Sequence, residues 1–172
     1  MSEPDIRVHL ADQTLEWIED GRVVRRFPVS TAAKGPGERD GSEQTPRGRH
    51  RVSEKIGSGA VPGAVFVGRE PTGEVCTAER FAREPERDWI TTRILWLDGL
   101  EPGRNRGGDR DSRSRYVYIH GTPDEAGLGT PASHGCIRMR DADVVWLFER
   151  AKVGSIVEII APAEIDEEGE TT

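Results

Sequence analysis

The sequence predicts a mainly β, single-domain protein with one or two short helices. Three observations carry that prediction: apolar residues alternate over short runs, glycine and proline cut those runs apart, and only brief segments read as helical. At 172 residues the chain is long enough for one domain with a real core and short of the usual size for two.

Ile6, Val8 and Leu10 alternate with Arg7 and His9, and Leu15, Trp17 and Ile18 then lead to Asp20-Gly21, a strong two-residue hairpin signal. Val23, Val24, Phe27 and Val29 follow, so the chain opens as a β-meander. Residues 33–44, with Gly35, Pro36, Gly37 and Gly41 among many charges, lack periodicity and read as a mobile polar connection into Thr45-Pro46-Arg47-Gly48. Residues 50–56 and 64–68 read as short strands split by Gly57, Gly59, Pro62 and Gly63, residues 79–87 as a helical turn, and residues 90–97 as a further strand.

Residues 100–114 carry Gly103, Gly107 and Gly108, and a loop this long in a compact domain is usually functional or disordered; a lid that selects a second substrate is the expectation. In residues 115–120 the two-residue strand period puts Tyr116, Tyr118 and His120 on one face and Val117 and Ile119 on the other. Asp141 is suited to be a helix N-cap, and Val144, Leu147, Phe148 and Ala151 recur at helical spacing before Gly154, which places the best helix over 142–152. Residues 156–160 return as a closing strand.

Composition narrows the partners. The net charge of −7 gathers in a tail that holds Glu164, Asp166, Glu167, Glu168 and Glu170, leaving a body close to neutral. Arg104, Arg106, Arg110 and Arg113 are interleaved with Asp109 and Asp111 rather than forming a basic face, so nucleic acid is not an expected partner. There is no run of 18 apolar residues, which argues against stable membrane insertion, and Met1-Ser2-Glu3-Pro4-Asp5 has neither the basic nor the apolar part of a secretory signal. Cys76 and Cys136 read as free thiols, because two cysteines make no disulfide framework and a bridge would consume the one plausible nucleophile.

The chemical centre is Ser133-His134-Gly135-Cys136-Ile137-Arg138-Met139, which follows the strand end His120-Gly121-Thr122. A thiol becomes a useful nucleophile as thiolate, and a histidine within hydrogen-bond reach can take its proton. A lone cysteine usually just packs; here the surrounding residues favour Cys136 as the nucleophile. Gly135 lets backbone come close to a substrate carbonyl, so that amides beside Cys136 can face a developing oxyanion. His120 and His134 both qualify as base, and spacing does not choose between them. Arg138 can hold a substrate carboxylate in its planar fork or pair structurally with Asp141 or Asp143. Ser133 and Thr122 can fix the loop, and Tyr118 can line a cleft. A zinc site built from His120, His134 and Cys136 lacks the second pair of ligands that structural zinc sites show. No metal or organic cofactor is expected, since the thiol supplies covalent catalysis and a histidine carries the proton.

These residues resemble the active-site signature of the L,D-transpeptidases, the YkuD domain. With Val29-Ser30-Thr31 and Thr45-Pro46-Arg47-Gly48 the resemblance extends over residues 5–161. It implies a β-sandwich-like catalytic domain there, flanked by an N-terminal extension at 1–4 and an acidic tail at 162–172. It implies that His120 is the general base, held by the carbonyl of Gly121, while His134 helps to build the site. It further implies that Cys136 attacks the peptide bond before the terminal D-alanine of a peptidoglycan tetrapeptide stem and forms a thioester. An amine of another stem then resolves the thioester into a crosslink between two third-position residues.

Water as acceptor would make the protein an L,D-carboxypeptidase instead, and a non-catalytic wall-binding module is the remaining alternative. Peptidoglycan stem peptides are the partners so implied, with the chain working as a monomer and Cys136 open to carbapenem-type acylation. The family setting implies the cell envelope or periplasm. The start of the chain shows no signal sequence, which leaves two alternatives: a truncated start, or a cytoplasmic substrate, in which case the enzyme would trim recycled or precursor stems.

Overall fold

The computed structural model describes residues 3–162; the acidic residues from Glu164 onward lie outside them. Strands β1 (Ile6–His9), β2 (Thr14–Glu19) and β3 (Arg22–Ser30) form the expected meander. Asp20 and Gly21 both take positive φ, 52° and 74°, joining Glu19 to Arg22 through a two-residue turn whose twist suits a hairpin. β1 shows its alternation directly, with Ile6 and Val8 buried and Arg7 and His9 half-buried.

The remaining strands are β4 (Gly48–Ile56), β5 (Ala64–Val67), β6 (Glu70–Val75), β7 (Thr91–Gly99), β8 (Tyr118–Thr122), β9 (Ile137–Arg140) and β10 (Ile156–Ile160). They form one sheet in the order β4-β10-β1-β2-β3-β9-β8-β7-β5-β6, and β4 also pairs with β7. That extra pairing curls the sheet into a closed, barrel-like sandwich from which the β5–β6 hairpin projects. Closure leaves few open edges, the usual hazard of a β protein.

The main core fills the inside of this ring, with Ile6, Leu15, Phe27, Leu95, Leu97, Ile119, Ile137, Met139 and Ile159 essentially without solvent contact. Helix α2 (Asp141–Arg150) contributes Val144, Leu147 and Phe148 to the same core. Burying a side chain of Leu147's kind stabilises by roughly 1.5–3 kcal/mol. A second, smaller cluster of Phe66, Ile94, Trp96 and Tyr118 lies on the opposite face of β7 and β8, with Cys136 packed against it.

Several expectations need correction. β6 escapes the sequence pattern because Glu70-Pro71-Thr72-Gly73-Glu74 has no apolar alternation; a proline is tolerated there because β6 is the sheet's edge. The helical turn expected over 79–87 is α1 (Ala78–Arg83), capped by Thr77 accepting from the Arg80 amide and ending short of Pro85.

Asp141 is not an N-cap: it is the first helical residue, and its carboxylate accepts from the hydroxyls of Thr91 at 2.7 Å and Thr92 at 2.6 Å on β7. Nor is segment 33–44 a loose connection. It is pinned by bridges of Ala32 to Ser133 and Pro36 to Thr45, and by buried Glu38 paired with Arg47 at 2.9 Å. Loop 100–114 is likewise anchored, with Asn105 and Ser112 wholly buried and Asn105 Nδ2 donating to the carbonyls of Arg47 and Arg49. Among the described residues no helix is long and apolar enough to cross a membrane.

Candidate active site

β8 and β9 run parallel, with His120 opposite Arg138 and Ile119 opposite Ile137. Because strand side chains alternate, Ile119, Ile137 and Met139 enter the main core while Tyr118, His120 and Arg138 share the other face. Cys136, one residue before β9, sits beside Tyr118: the Tyr118 amide lies 3.4 Å from Sγ and donates to it. The thiol in turn donates to the Tyr116 carbonyl at 3.4 Å. Tyr116 itself precedes β8 in a left-handed conformation, φ 57°, so it does not continue the face that the two-residue period assigns to it.

His120 is 1% exposed, and its Nδ1 bonds the Gly121 carbonyl at 2.6 Å. A carbonyl can only accept, so Nδ1 carries the ring proton and Nε2 is left as the basic nitrogen, with no hydrogen bond among the described residues. Burial pushes the His120 imidazole down to about 4, partly opposed by the Gly121 bond. Burial pushes the Cys136 thiol up to about 12, with the Tyr118 amide pulling the other way. Both shifts favour an uncharged thiol and an uncharged imidazole at rest, in agreement with a sulfur that donates to a carbonyl.

Gly121 can only be glycine here. A Cβ would lie 2.5 Å from the Thr91 carbonyl and closer still to the Asp141 carboxylate. The carbonyl that fixes His120 is thus held between β7 and the start of α2. Gly135 has φ 132°, a conformation that side chains rarely adopt, and its carbonyl accepts from Thr45 Oγ1 at 3.0 Å. Ser133 Oγ donates to the Cys136 carbonyl at 2.6 Å and accepts from the Gly135 amide at 3.2 Å, bracing the turn that presents the thiol.

Cys136 opens onto a cleft of about 470 Å³ that is also lined by Tyr118, Ser133, His134, Gly135 and Arg138. His134 is exposed on the rim and makes no hydrogen bond among the described residues. Arg138, mostly buried, pairs with Asp88 at 3.4 Å, not with Asp141 or Asp143. Thr122 is 3% exposed, accepts from the Asp124 amide, and lines a separate cleft of about 310 Å³ that meets the first only through His134 and Arg138.

Sequence reasoning missed Arg69, Asp88 and Arg115, all lining the main cleft. Arg115 donates to the carbonyls of Gly37, Glu38 and Gln44, tying segment 33–44 to the cleft wall. Only the Gly68-Arg69 turn left a trace in the sequence, as a glycine ending an apolar run. No residue of loop 100–114 lines the cleft, so the expected lid is not over it. Among the described residues no three His, Cys, Asp or Glu side chains converge as a metal-ligand cluster.

Comparison with known proteins agrees with the geometry. The family profile of the YkuD L,D-transpeptidase catalytic domain matches residues 3–159. A probable L,D-transpeptidase, YbiS, of Escherichia coli (strain K12) is 46% identical over 46 residues, which is 27% of this chain and 15% of that protein. The probable L,D-transpeptidase ErfK/SrfK of Salmonella typhimurium matches with the same identity and coverage.

Among solved structures, an L,D-transpeptidase from Xylanimonas cellulosilytica superposes with a TM-score of 0.52 at 21% identity, covering 90% of this chain and 59% of that one. L,D-transpeptidase 3 from Mycobacterium tuberculosis, in complex with a faropenem-derived adduct, gives 0.54 at 18% identity over 91% and 60% of the two chains. The chain thus spans about three fifths of these structures, and at such identities the likeness establishes the fold.

Proposed function

The chain belongs to the YkuD family, the L,D-transpeptidase catalytic domain, and on that premise we propose that Cys136 is the nucleophile of an acyl transfer on peptidoglycan tetrapeptide stems. The observation that carries this reading is the shared sheet face on which a cleft-exposed thiol accompanies a histidine whose Nδ1 is locked and whose Nε2 is open. His120 is the base, Gly121 its anchor, Ser133 and Gly135 the turn that presents the thiol, and His134 a rim residue. Arg138 exchanges Asp88, itself well exposed, for a substrate carboxylate.

In the first half-reaction Sγ attacks the carbonyl preceding the terminal D-alanine while His120 Nε2 takes the thiol proton. The same nitrogen returns that proton to the departing amine, leaving a thioester and free D-alanine. A side-chain amine of a second stem then attacks the thioester and gives its proton to His120; the C–S bond breaks, His120 hands that proton to the departing Sγ, and the peptide bond so formed is the crosslink. Water in place of the amine yields the trimmed tripeptide. Because thiol and imidazole are both neutral at rest, proton transfer accompanies attack rather than preceding it. The proposed setting is the cell envelope.

Intact mass of the wild type and of Cys136→Ala, after incubation with a tetrapeptide-stem muropeptide, tests the reading while released products are followed. An adduct confined to the wild type, with D-alanine released, is the expected result, and crosslinked dimer against tripeptide identifies the acceptor. Absence of both adduct and turnover would sink it in favour of a wall-binding module.

A further inference from the structure

Three guanidinium groups face the main cleft, and they differ in what already occupies them. Arg115 spends its donors on the carbonyls of Gly37, Glu38 and Gln44 and on the Ser42 hydroxyl. Arg138 has Asp88 as its ion-pair partner. Arg69 makes no ion pair among the described residues; its one hydrogen bond runs from Nη1 to the Tyr118 hydroxyl at 3.0 Å, and its remaining donors are unengaged.

Arg69 is nevertheless held in place. Its guanidinium lies 4.8 Å from the ring centroids of both Trp96 and Tyr116, and Trp96 in turn packs edge-on against Tyr118 at 5.8 Å. Such stacking fixes a planar cation whose side chain would otherwise lose rotamer freedom on capturing a ligand. The Tyr118 hydroxyl accepts from Arg69, so its own proton remains available to the same ligand.

The backbone at this point is costly. Gly68 and Arg69 form the two-residue turn between β5 and β6 with φ of 56° and 67°, and turns of this kind favour glycine, asparagine or aspartate at both positions. A bulky arginine in the left-handed region is an outlier of the sort that clusters at ligand clamps.

We propose that Arg69 is a specificity-determining residue that reads a free carboxylate on the acyl-donor peptide, at a position removed from the bond that Cys136 attacks. Fork geometry and unengaged donors suit a carboxylate, and a carboxamide, which presents one acceptor and no charge, fits poorly. The chain therefore selects stems whose internal carboxylates are free over stems in which they are amidated. This deepens the acyl-transfer reading and rests on it.

The test compares kcat/KM for two donor tetrapeptides, one with its internal carboxylates free and one with them as carboxamides, in the wild type, Arg69→Asn and Arg69→Lys. Asparagine tolerates the left-handed backbone, so the turn keeps its conformation while the cation is lost. The wild type should prefer the carboxylate donor about tenfold, chiefly through KM. Arg69→Asn should bring the ratio close to one, with Arg69→Lys in between. Equal losses on both donors would mean that Arg69 only supports the cleft, and an unchanged ratio in Arg69→Asn would overturn the proposal.

Calorimetric titration of the same peptides into Cys136→Ala separates this from the acyl-transfer reading. Carboxylate preference that binds without turnover in the wild type would leave Arg69's role standing and remove the reaction. Turnover without preference would do the opposite.

Discussion

His50 and His120 share almost every local feature, and one difference divides them. Each is fully buried, each anchors Nδ1 on a nearby backbone carbonyl, Gly48 at 3.0 Å and Gly121 at 2.6 Å, and burial pushes each imidazole down to about 4. His50 Nε2, however, lies 2.8 Å from Ser112 Oγ, so its bonding is complete. His120 Nε2 has no partner and lies on the face that carries Cys136. Burial and a shifted pKa therefore do not mark a working histidine; an unspent nitrogen on the face that carries the thiol does.

The largest expected effects would break this pairing outright. Cys136→Ala and His120→Ala should each remove acylation by at least about three orders of magnitude, as single members of such catalytic units do. His50→Ala should leave the acylation rate of folded protein within a few-fold. Its cost falls on stability instead, about 2–4 kcal/mol, from the cavity and from the unpaired Ser112 and Gly48 groups. Urea unfolding beside a mass-resolved acylation rate measures both. Slow acylation in properly folded His50→Ala would defeat the distinction.

Changing pH separates the two histidines in a milder way. The unfolded chain takes up protons near the ordinary value of 6.5, whereas either buried imidazole resists until about 4. The unfolded state therefore binds more protons in that window. Each histidine contributes stability that is full above about 6.5 and is lost as pH falls toward about 4. His50→Gln and His120→Gln should both flatten that slope. The acylation rates of the wild type and of His50→Gln should both show the acid limb near 4, set by His120, and no thiol-derived limb on the alkaline side below about 12. A rate that peaks near neutrality would instead reveal a preformed thiolate and imidazolium.

This contrast also marks how far the sequence could be read. The meander, the Asp20-Gly21 turn, the buried runs of β7 and β8 and the apolar stripe of α2 follow from local periodicity, and they are where the expectations and the fold agree. The Cys136, His120 and Arg138 neighbourhood was legible because its residues fall on two short segments that pair as adjacent strands. Nothing local distinguished His50, whose meaning depends on Ser112 arriving from a distant loop.

Long-range contacts likewise decide the misread cases. Asp141 gives up capping because two β7 hydroxyls reach it, segment 33–44 is stilled by Arg115, and Arg69 enters the cleft only once the β5–β6 hairpin folds over β7.

Gly121→Ala probes the anchor rather than the base. A Cβ there meets the Thr91 carbonyl and the Asp141 carboxylate, so β8 must shift and the carbonyl that sets His120's tautomer moves with it. Displacements of this size commonly cost about a hundredfold in rate. The expected loss is in kcat, measured on protein shown by circular dichroism to be folded. Retention of full kcat would show that His120 is held by burial alone.

The smallest expected effect belongs to the second thiol. Cys76 follows β6, donates weakly to the Thr77 carbonyl at 3.6 Å, and is raised in pKa by burial and then by Asp141. It therefore resembles Cys136 in being an uncharged thiol, much as His50 resembles His120. Among the described residues its thiol makes no hydrogen bond to a histidine, so no paired imidazole stands ready to take its proton at the moment of attack. Cys76→Ser should leave the acylation rate within a factor of about two, since a half-exposed thiol replaced by a hydroxyl perturbs little. Mass spectrometry of acylated wild type should place a single adduct on Cys136. An adduct on Cys76 under the same conditions would mean that exposure, rather than a paired base, selects the nucleophile.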